Sequence, residues 1–340
     1  MRAVLYDGPR SFRVTDVPTP VAGFGEVLVK VEQTGVCGTD LHIHEGHFQA
    51  KFPLIPGHEL VGTIEALGEG VEGLHIGESV TVNPNVCCGY CDYCRRGQTL
   101  RCPNLKGLGT NYPGSFAEYL TAPFQYVYSV DDLHPDTAVF TEPAACAMHG
   151  LESAAIPPGA SVLVFGAGPT GLLLSQLIKN GGASHVTVAA STQFKLDLAL
   201  KLGIDDVLLM DRDDLLGSVA ALRDRSQGGF DVVIEATGSP DIGEVCVPLT
   251  RNGGTVMLYG VTAPEDRIRI APFDVFRREI TIKGSFAEIN AFPATIAALR
   301  GGRASTDGLI THRFKLEEYG QALEAIQQDR SVHKVILEMS

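Results

Sequence analysis

No run of about 18 consecutive apolar residues occurs in this chain, so no segment reads as a membrane-spanning helix. Clustered basic residues are also missing. The longest Lys/Arg runs are pairs, and 27 Lys and Arg against 40 Asp and Glu leave a formal net charge of -13, a sign that argues against a nucleic-acid partner. Internal repeats and low-complexity tracts are absent, and 44% hydrophobic with 20% charged residues describes a chain that buries a core rather than one that stays disordered. The opening MRAVLYDGPRSFRV lacks the charged start and apolar stretch of a secretory signal, so a cytoplasmic location is expected. At 340 residues the chain exceeds one ordinary core, and two domains are expected.

Cysteine is present and unevenly placed. Five of the 8 cysteines fall in CCGYCDYCRRGQTLRC, residues 87–102. In a reducing compartment such a cluster serves better as a set of metal ligands than as disulfides. Cys88, Cys91, Cys94 and Cys102 follow Cys-x2-Cys-x2-Cys-x7-Cys, and four thiolates close a tetrahedral zinc shell with no exchangeable position. A zinc ion held there is structural, with Gly89 and Gly97 supplying the tight turns and Cys87 left over.

Short glycine-punctuated strands fill the first part of the chain: EVLVKVE from Glu26, LVGTIEALG from Leu60 and SVTVN from Ser79. From about Ala154 the pattern changes to alternating strand and helix, beginning with VLVF at Val162, then HVTVAAS, DVLLM, FDVVIEATG and GGTVMLYGV, as in a doubly wound parallel sheet. GAGPTG sets Gly166, Gly168 and Gly171 in G-x-G-x-x-G between a predicted strand and a predicted helix, with Pro169 and Thr170 inside the turn. In that context the motif binds a dinucleotide pyrophosphate at a helix N-terminus. Thr237 in TGSP and Val261 in LYGV stand at later strand ends facing the same crevice.

A reactive metal centre needs about three protein ligands and one open position. GVCGTDLH offers Cys37, Thr39 and His42, and PGHELVG offers His58 and Glu59. Taken together, GVCGTDLH, PGHE, the four-cysteine lobe, GAGPTG and the closing THRF resemble the zinc-dependent medium-chain dehydrogenase/reductase superfamily over essentially the whole chain, in the family's order.

That resemblance implies an α/β fold: a GroES-like β domain over residues 1–147 and 285–340, carrying the zinc lobe at 87–102, plus a Rossmann doubly wound parallel-sheet domain over 148–284, with the active cleft between them. It implies two zinc ions per chain. Cys37 and His58 become ligands of the catalytic zinc, and Glu59 and Glu142 share the remaining ligand duty without fixed roles. Glu142 stands where ethanol-type members carry a second Cys and the polyol branch carries Glu. A zinc ion acidifies an alcohol it holds, Thr39 hydrogen-bonds the reacting oxygen, and His42 relays the proton outward, with His44 and His47 crowding the same segment.

NAD-specific members carry an acid at the end of the second strand, where this chain has Ala190, followed by Ser191, Thr192 and Lys195 as donors to a 2'-phosphate. NADP is therefore expected in preference to NAD, although the Arg often found just after this position is missing. The expected substrate is a secondary alcohol or polyol, or the corresponding ketone. Ile43 and the Ala287-Glu288 pair depart from sorbitol dehydrogenase, which leaves an arabinitol-like five-carbon polyol. An NAD-dependent sorbitol- or threonine-type dehydrogenase, or a non-catalytic zinc-binding member, are the alternatives. Members of this family are commonly homodimers or homotetramers.

Overall fold

A computed structural model describes residues 1–48, 50–288 and 290–339. The chain divides into two compact units: Met1–Ala145, Ile289–Gly301 and Gly308–Ser340 form the first, and Cys146–Glu288 with Gly302–Asp307 form the second. The boundary therefore lies two residues before the expected 147, and the second unit runs on to Glu288 instead of 284. Gly302–Asp307 also departs from the expectation that 285–340 stays whole. Hydrogen bonds explain it: the Gln176 side-chain amide accepts from Ser305 N-H at 2.8 Å and donates to Ser305 O at 3.1 Å, and Asn180 Nδ2 donates to Arg303 O at 2.8 Å.

In the second unit six strands form one wholly parallel sheet, in the spatial order Asp206–Leu209, His185–Ala190, Ser161–Phe165, Phe230–Glu235, Thr250–Leu258, Thr281–Gly284. This is the doubly wound dinucleotide-binding order, with the chain reversing direction across the sheet at Ser161–Phe165. Val162, Leu163, Val164 and Phe165 are all fully buried, as expected of a central parallel strand covered on both faces, which is why the run reads as continuously apolar. The last strand, Thr281–Gly284, has no comparable apolar run and the sequence reading did not separate it from the loop beyond it.

In the first unit the strand Glu26–Val36 is the hub. Val27, Val29 and Val31 point into the core while Lys30 faces solvent, the period-two pattern of a sheet wet on one side. It pairs antiparallel with Glu59–Leu67, Tyr119–Pro123 and Lys334–Glu338. Two register pairs at its end place the site: Gly35 lies opposite Glu59, and Val36 lies opposite Val335. A separate hairpin, Arg2–Gly8 with Ser11–Asp16, packs Ala3, Val4 and Tyr6 against Phe116 and Tyr319. No helix among the described residues is long and apolar enough to cross a membrane.

Candidate active site

Where the hub strand ends, Cys37 begins the helix Gly38–Glu45. Its N-H donates to Asp40 Oδ2 at 2.8 Å, which fixes the first turn and draws the Asp40 carboxylate inward, where it is 1% exposed. His58 and Glu59 arrive from the next strand of the sheet. One ligand atom each from Cys37, His58 and Glu59 lies within 4.8 Å of the others, with His58 and Glu59 buried. Thr39, one of the predicted catalytic residues, has its Oγ1 3.8 Å from Cys37 Sγ. Glu142 is buried near the start of the helix Thr141–Ala154, close enough for its charge to act on His58.

Two residues of this centre were not singled out in the sequence. Asp40 Oδ1 faces His58 Nδ1 at 3.8 Å, and neither atom has a hydrogen-bond partner among the described residues. A carboxylate behind a ligating imidazole fixes its orientation and raises its basicity. Lys334, 5% exposed, forms an ion pair with Glu59 Oε2. The pair meets across Gly35, where a Cβ would collide with both side chains.

The electrostatics of the pocket fit a dication. Burial alone would lower the pKa of His58, yet Asp40, Cys37 and Glu142 drive it well above the usual imidazole range. Burial would likewise discharge Lys334, but Glu59, Cys37 and Glu142 hold its pKa up. Burial pushes the Asp40 carboxyl up. A thiol, an imidazole and a carboxylate converging in a pocket of surplus negative potential, with a positioned carboxylate behind the imidazole, match the donor set of a borderline-soft metal such as zinc.

At the lobe, Cys88, Cys91, Cys94 and Cys102 bring their four sulfurs within 4.8 Å of one another, and no disulfide joins them. Gly89 and Gly97 both adopt the left-handed backbone, φ 76° and 74°, that the tight turns require. Partial burial pushes the Cys88 thiol up, but the N-H groups of Tyr90 and Cys91, with the thiols of Cys102 and Cys91, bring it down to about 6. Cys94 moves the opposite way, raised by burial and by its thiol neighbours. Four unpaired sulfurs this close together suit a cation that they can share. Cys87 lies outside this set of four, its Sγ 3.1 Å from Tyr126 Oη.

In the second unit the glycine turn follows the strand Ser161–Phe165 and opens the helix Pro169–Asn180. Gly166 has φ 112°, and a Cβ there would meet Ala236 O at 2.8 Å. A Cβ on Gly171 would strike Gly166 O, whereas one on Gly168 would meet nothing within 4 Å. The outer glycines thus serve close packing and the middle one leaves an open approach, the division of labour a pyrophosphate cradle needs. Pro169 and Thr170 sit in the first turn, where free N-H groups and the helix dipole favour an anion.

Ala190 ends the strand His185–Ala190, and Thr192 precedes the helix Gln193–Lys201. A cation reaches the end of this strand from the next crossover. Met210 N-H donates to Ala190 O at 2.9 Å, and two residues on, Arg212 Nε donates to Ser191 Oγ at 2.9 Å. Burial and the nearby Arg212 charge both lower the pKa of Lys195. Two cations therefore share one small region, and no ion pair of either is found among the described residues. Thr237 commits its N-H and hydroxyl to Glu235 Oε1, while Val261 is 56% exposed in the segment after the strand Thr250–Leu258. Ile43 is fully buried in the fold. Its place on the inner face of the short helix Gly38–Glu45 accounts for that.

Comparison with known proteins agrees with this geometry. Residues 23–132 match the alcohol dehydrogenase GroES-like domain and residues 169–300 match the zinc-binding dehydrogenase domain. The chain is 43% identical over 325 residues to D-arabinitol dehydrogenase 1 of Uromyces fabae, covering 95% of this chain and 93% of that one. A zinc-binding dehydrogenase homologue of Sinorhizobium meliloti 1021 solved with NADP superposes with a TM-score of 0.93 at 30% identity, over 99% of this chain and 98% of the other. An alcohol dehydrogenase of Escherichia coli CFT073 solved with NADH gives 0.92 at 30%, over 99% of both chains. A set of motifs, a fold and a full-length likeness of this extent have one reading: the chain belongs to the zinc-dependent medium-chain dehydrogenase/reductase superfamily, in its polyol dehydrogenase branch, and is an alcohol or polyol dehydrogenase.

Proposed function

We propose that this dehydrogenase oxidises a secondary hydroxyl of an arabinitol-like five-carbon polyol, with NADP preferred over NAD and one zinc ion at each of the two clusters. The observation that carries the proposal is the convergence of Cys37, His58 and Glu59 beside Thr39, backed by Asp40 and Lys334. When bound, zinc supplies Lewis acidity toward an alcohol oxygen and the nicotinamide accepts hydride. Cys37 and His58 would hold the zinc, with Glu59 or Glu142 as a third ligand. Asp40 holds the His58 ring in its ligating orientation, and Lys334 keeps Glu59 from leaving an uncompensated buried charge. Thr39 Oγ1 positions the reacting hydroxyl, and His42, one turn further along the same helix, passes its proton to solvent. The four-cysteine lobe has no place in the reaction and holds its own segment together.

The substrate class rests on the 43% identity to an arabinitol dehydrogenase, and the cofactor preference rests on Ala190, Ser191, Lys195 and Arg212. An acid at position 190 would repel a 2'-phosphate, whereas this chain offers the hydroxyls of Ser191 and Thr192 and two cations. We further propose a cytoplasmic homodimer or homotetramer, the family's usual assembly, which sedimentation measurements check. The decisive experiment is a panel of arabinitol, xylitol, sorbitol and threonine scored as kcat/KM with both nicotinamides, alongside elemental analysis for two zinc ions per chain. Higher kcat/KM with NAD overturns the cofactor assignment. Turnover surviving in Cys37→Ala or His58→Ala, with dinucleotide binding intact, overturns the metal centre.

A further inference from the structure

Beyond the two clusters assigned above, a third set of metal-type donors lies at the far end of the Cys37 helix. His42, Glu45 and His47 bring one ligand atom each within 4.8 Å of the others. The backbone explains the juxtaposition. Gly46, at φ 83°, closes the helix in a Schellman turn, with Gly46 N-H donating to Ile43 O at 3.2 Å and His47 N-H donating to His42 O at 2.8 Å. This turn sets the side chain after the glycine beside the one five residues earlier, where an apolar pair commonly closes the helix end. Here the pair is two imidazoles, with ring centroids 6.5 Å apart.

Glu45 adds a carboxylate, its Oε2 3.3 Å from His47 Nδ1. A surface ion pair between Glu45 and His47 would by itself contribute almost nothing to stability, and it gives no reason for the second imidazole. Two imidazoles and a carboxylate on adjustable, partly exposed side chains are, however, a donor set for a borderline dication. His44, between them in sequence, takes no part, because its Nδ1 is 2.9 Å from the Tyr6 hydroxyl on the opposite side of the helix.

We propose that His42, Glu45 and His47 form a third, inhibitory site for Zn2+ or a similar first-row dication. An ion held on the His42 imidazole occupies the nitrogen lone pair that proton passage requires, so its binding slows turnover. That consequence rests on the proton-relay reading of His42 above; the site itself does not. His47 and Glu45 take no part in the Cys37 cluster, so their replacement leaves basal turnover in place.

The test titrates ZnCl2 into fully zinc-loaded enzyme in a non-chelating buffer, measuring bound metal by equilibrium dialysis and elemental analysis, and turnover in parallel. One additional zinc per chain is expected, with a progressive loss of activity. His47→Gln and Glu45→Gln should each raise the zinc concentration needed for both effects by roughly tenfold or more, at unchanged basal kcat/KM. The proposal is overturned if the wild type takes up no additional zinc, or if His47→Gln takes it up as tightly as the wild type does. Additional zinc bound through His47 with turnover unaffected would keep the site and remove His42 from the proton path.

Discussion

Replacing Lys334 by Met tests the electrostatic construction of the active site through stability alone. In the native chain the Lys334 and Glu59 side chains are 6% and 1% exposed, so the ion pair between them is buried from both ends. An exposed pair contributes about 0–1 kcal/mol, but removing one partner of a buried pair strands the other charge, at about 3–5 kcal/mol. Asp40, whose charge is felt at the same pair, makes that stranded carboxylate worse placed. Lys334→Met should therefore destabilise the metal-free first unit by about 3–5 kcal/mol. Adding Glu59→Met removes the orphan charge, and the double variant should return to within about 1 kcal/mol of the wild type, since apolar replacement of a whole buried pair is near neutral. The chain has no Trp, and every tyrosine except Tyr259 lies in the first unit, so tyrosine emission in a guanidinium titration reports that unit. With zinc bound, the ion supplies part of the missing charge and the penalty of the single variant should shrink. A single variant indistinguishable from wild type, or a double variant as unstable as the single one, would refute the reasoning.

Arg212→Ala should lower kcat/KM with NADP about tenfold and leave the value with NAD unchanged, because an exposed charge-assisted hydrogen bond sits near the lower end of about 1.5–3 kcal/mol. Equal losses with both cofactors would mean that Arg212 only supports the loop. Burial pushes the Asp205 carboxyl up, but hydrogen bonds from Lys179 and the Val186 N-H overcome this and hold it below its ordinary value. A carboxyl with a depressed folded pKa stabilises above its unfolded value of about 3.9, and that contribution disappears as pH falls through the lower folded one. Wild-type stability should therefore fall more steeply below about pH 5 than that of Asp205→Asn, and parallel pH profiles would count against it.

Most of the second unit was legible along the chain, because its strands are continuous apolar runs and its glycine turn sits between a strand and a helix. The exception among them is Thr281–Gly284, an edge strand with little apolar content. Cys37, His58 and the four lobe cysteines were legible for a different reason: metal-ligand residue types at ligand spacing are uncommon by chance. Lys334 and Asp40 left no such trace. Lys334 meets Glu59 only because two strands far apart in sequence flank the same hub strand, and a lone Lys before VILE looks like a solvated charge. Arg212 was invisible similarly, since its approach to Ser191 depends on a sheet register that joins Met210 to Ala190. Residues that work through long-range register carry no local pattern, whereas ligands and turns do.

The central claim is that Cys37 and His58 grip a metal ion. Crystals of the zinc-loaded enzyme measured on both sides of the zinc absorption edge test it directly. The account predicts one anomalous peak among Cys88, Cys91, Cys94 and Cys102 and a second within bonding distance of Cys37 Sγ and His58. A peak at the lobe with none at Cys37 and His58, from protein that turns over polyol, would contradict it.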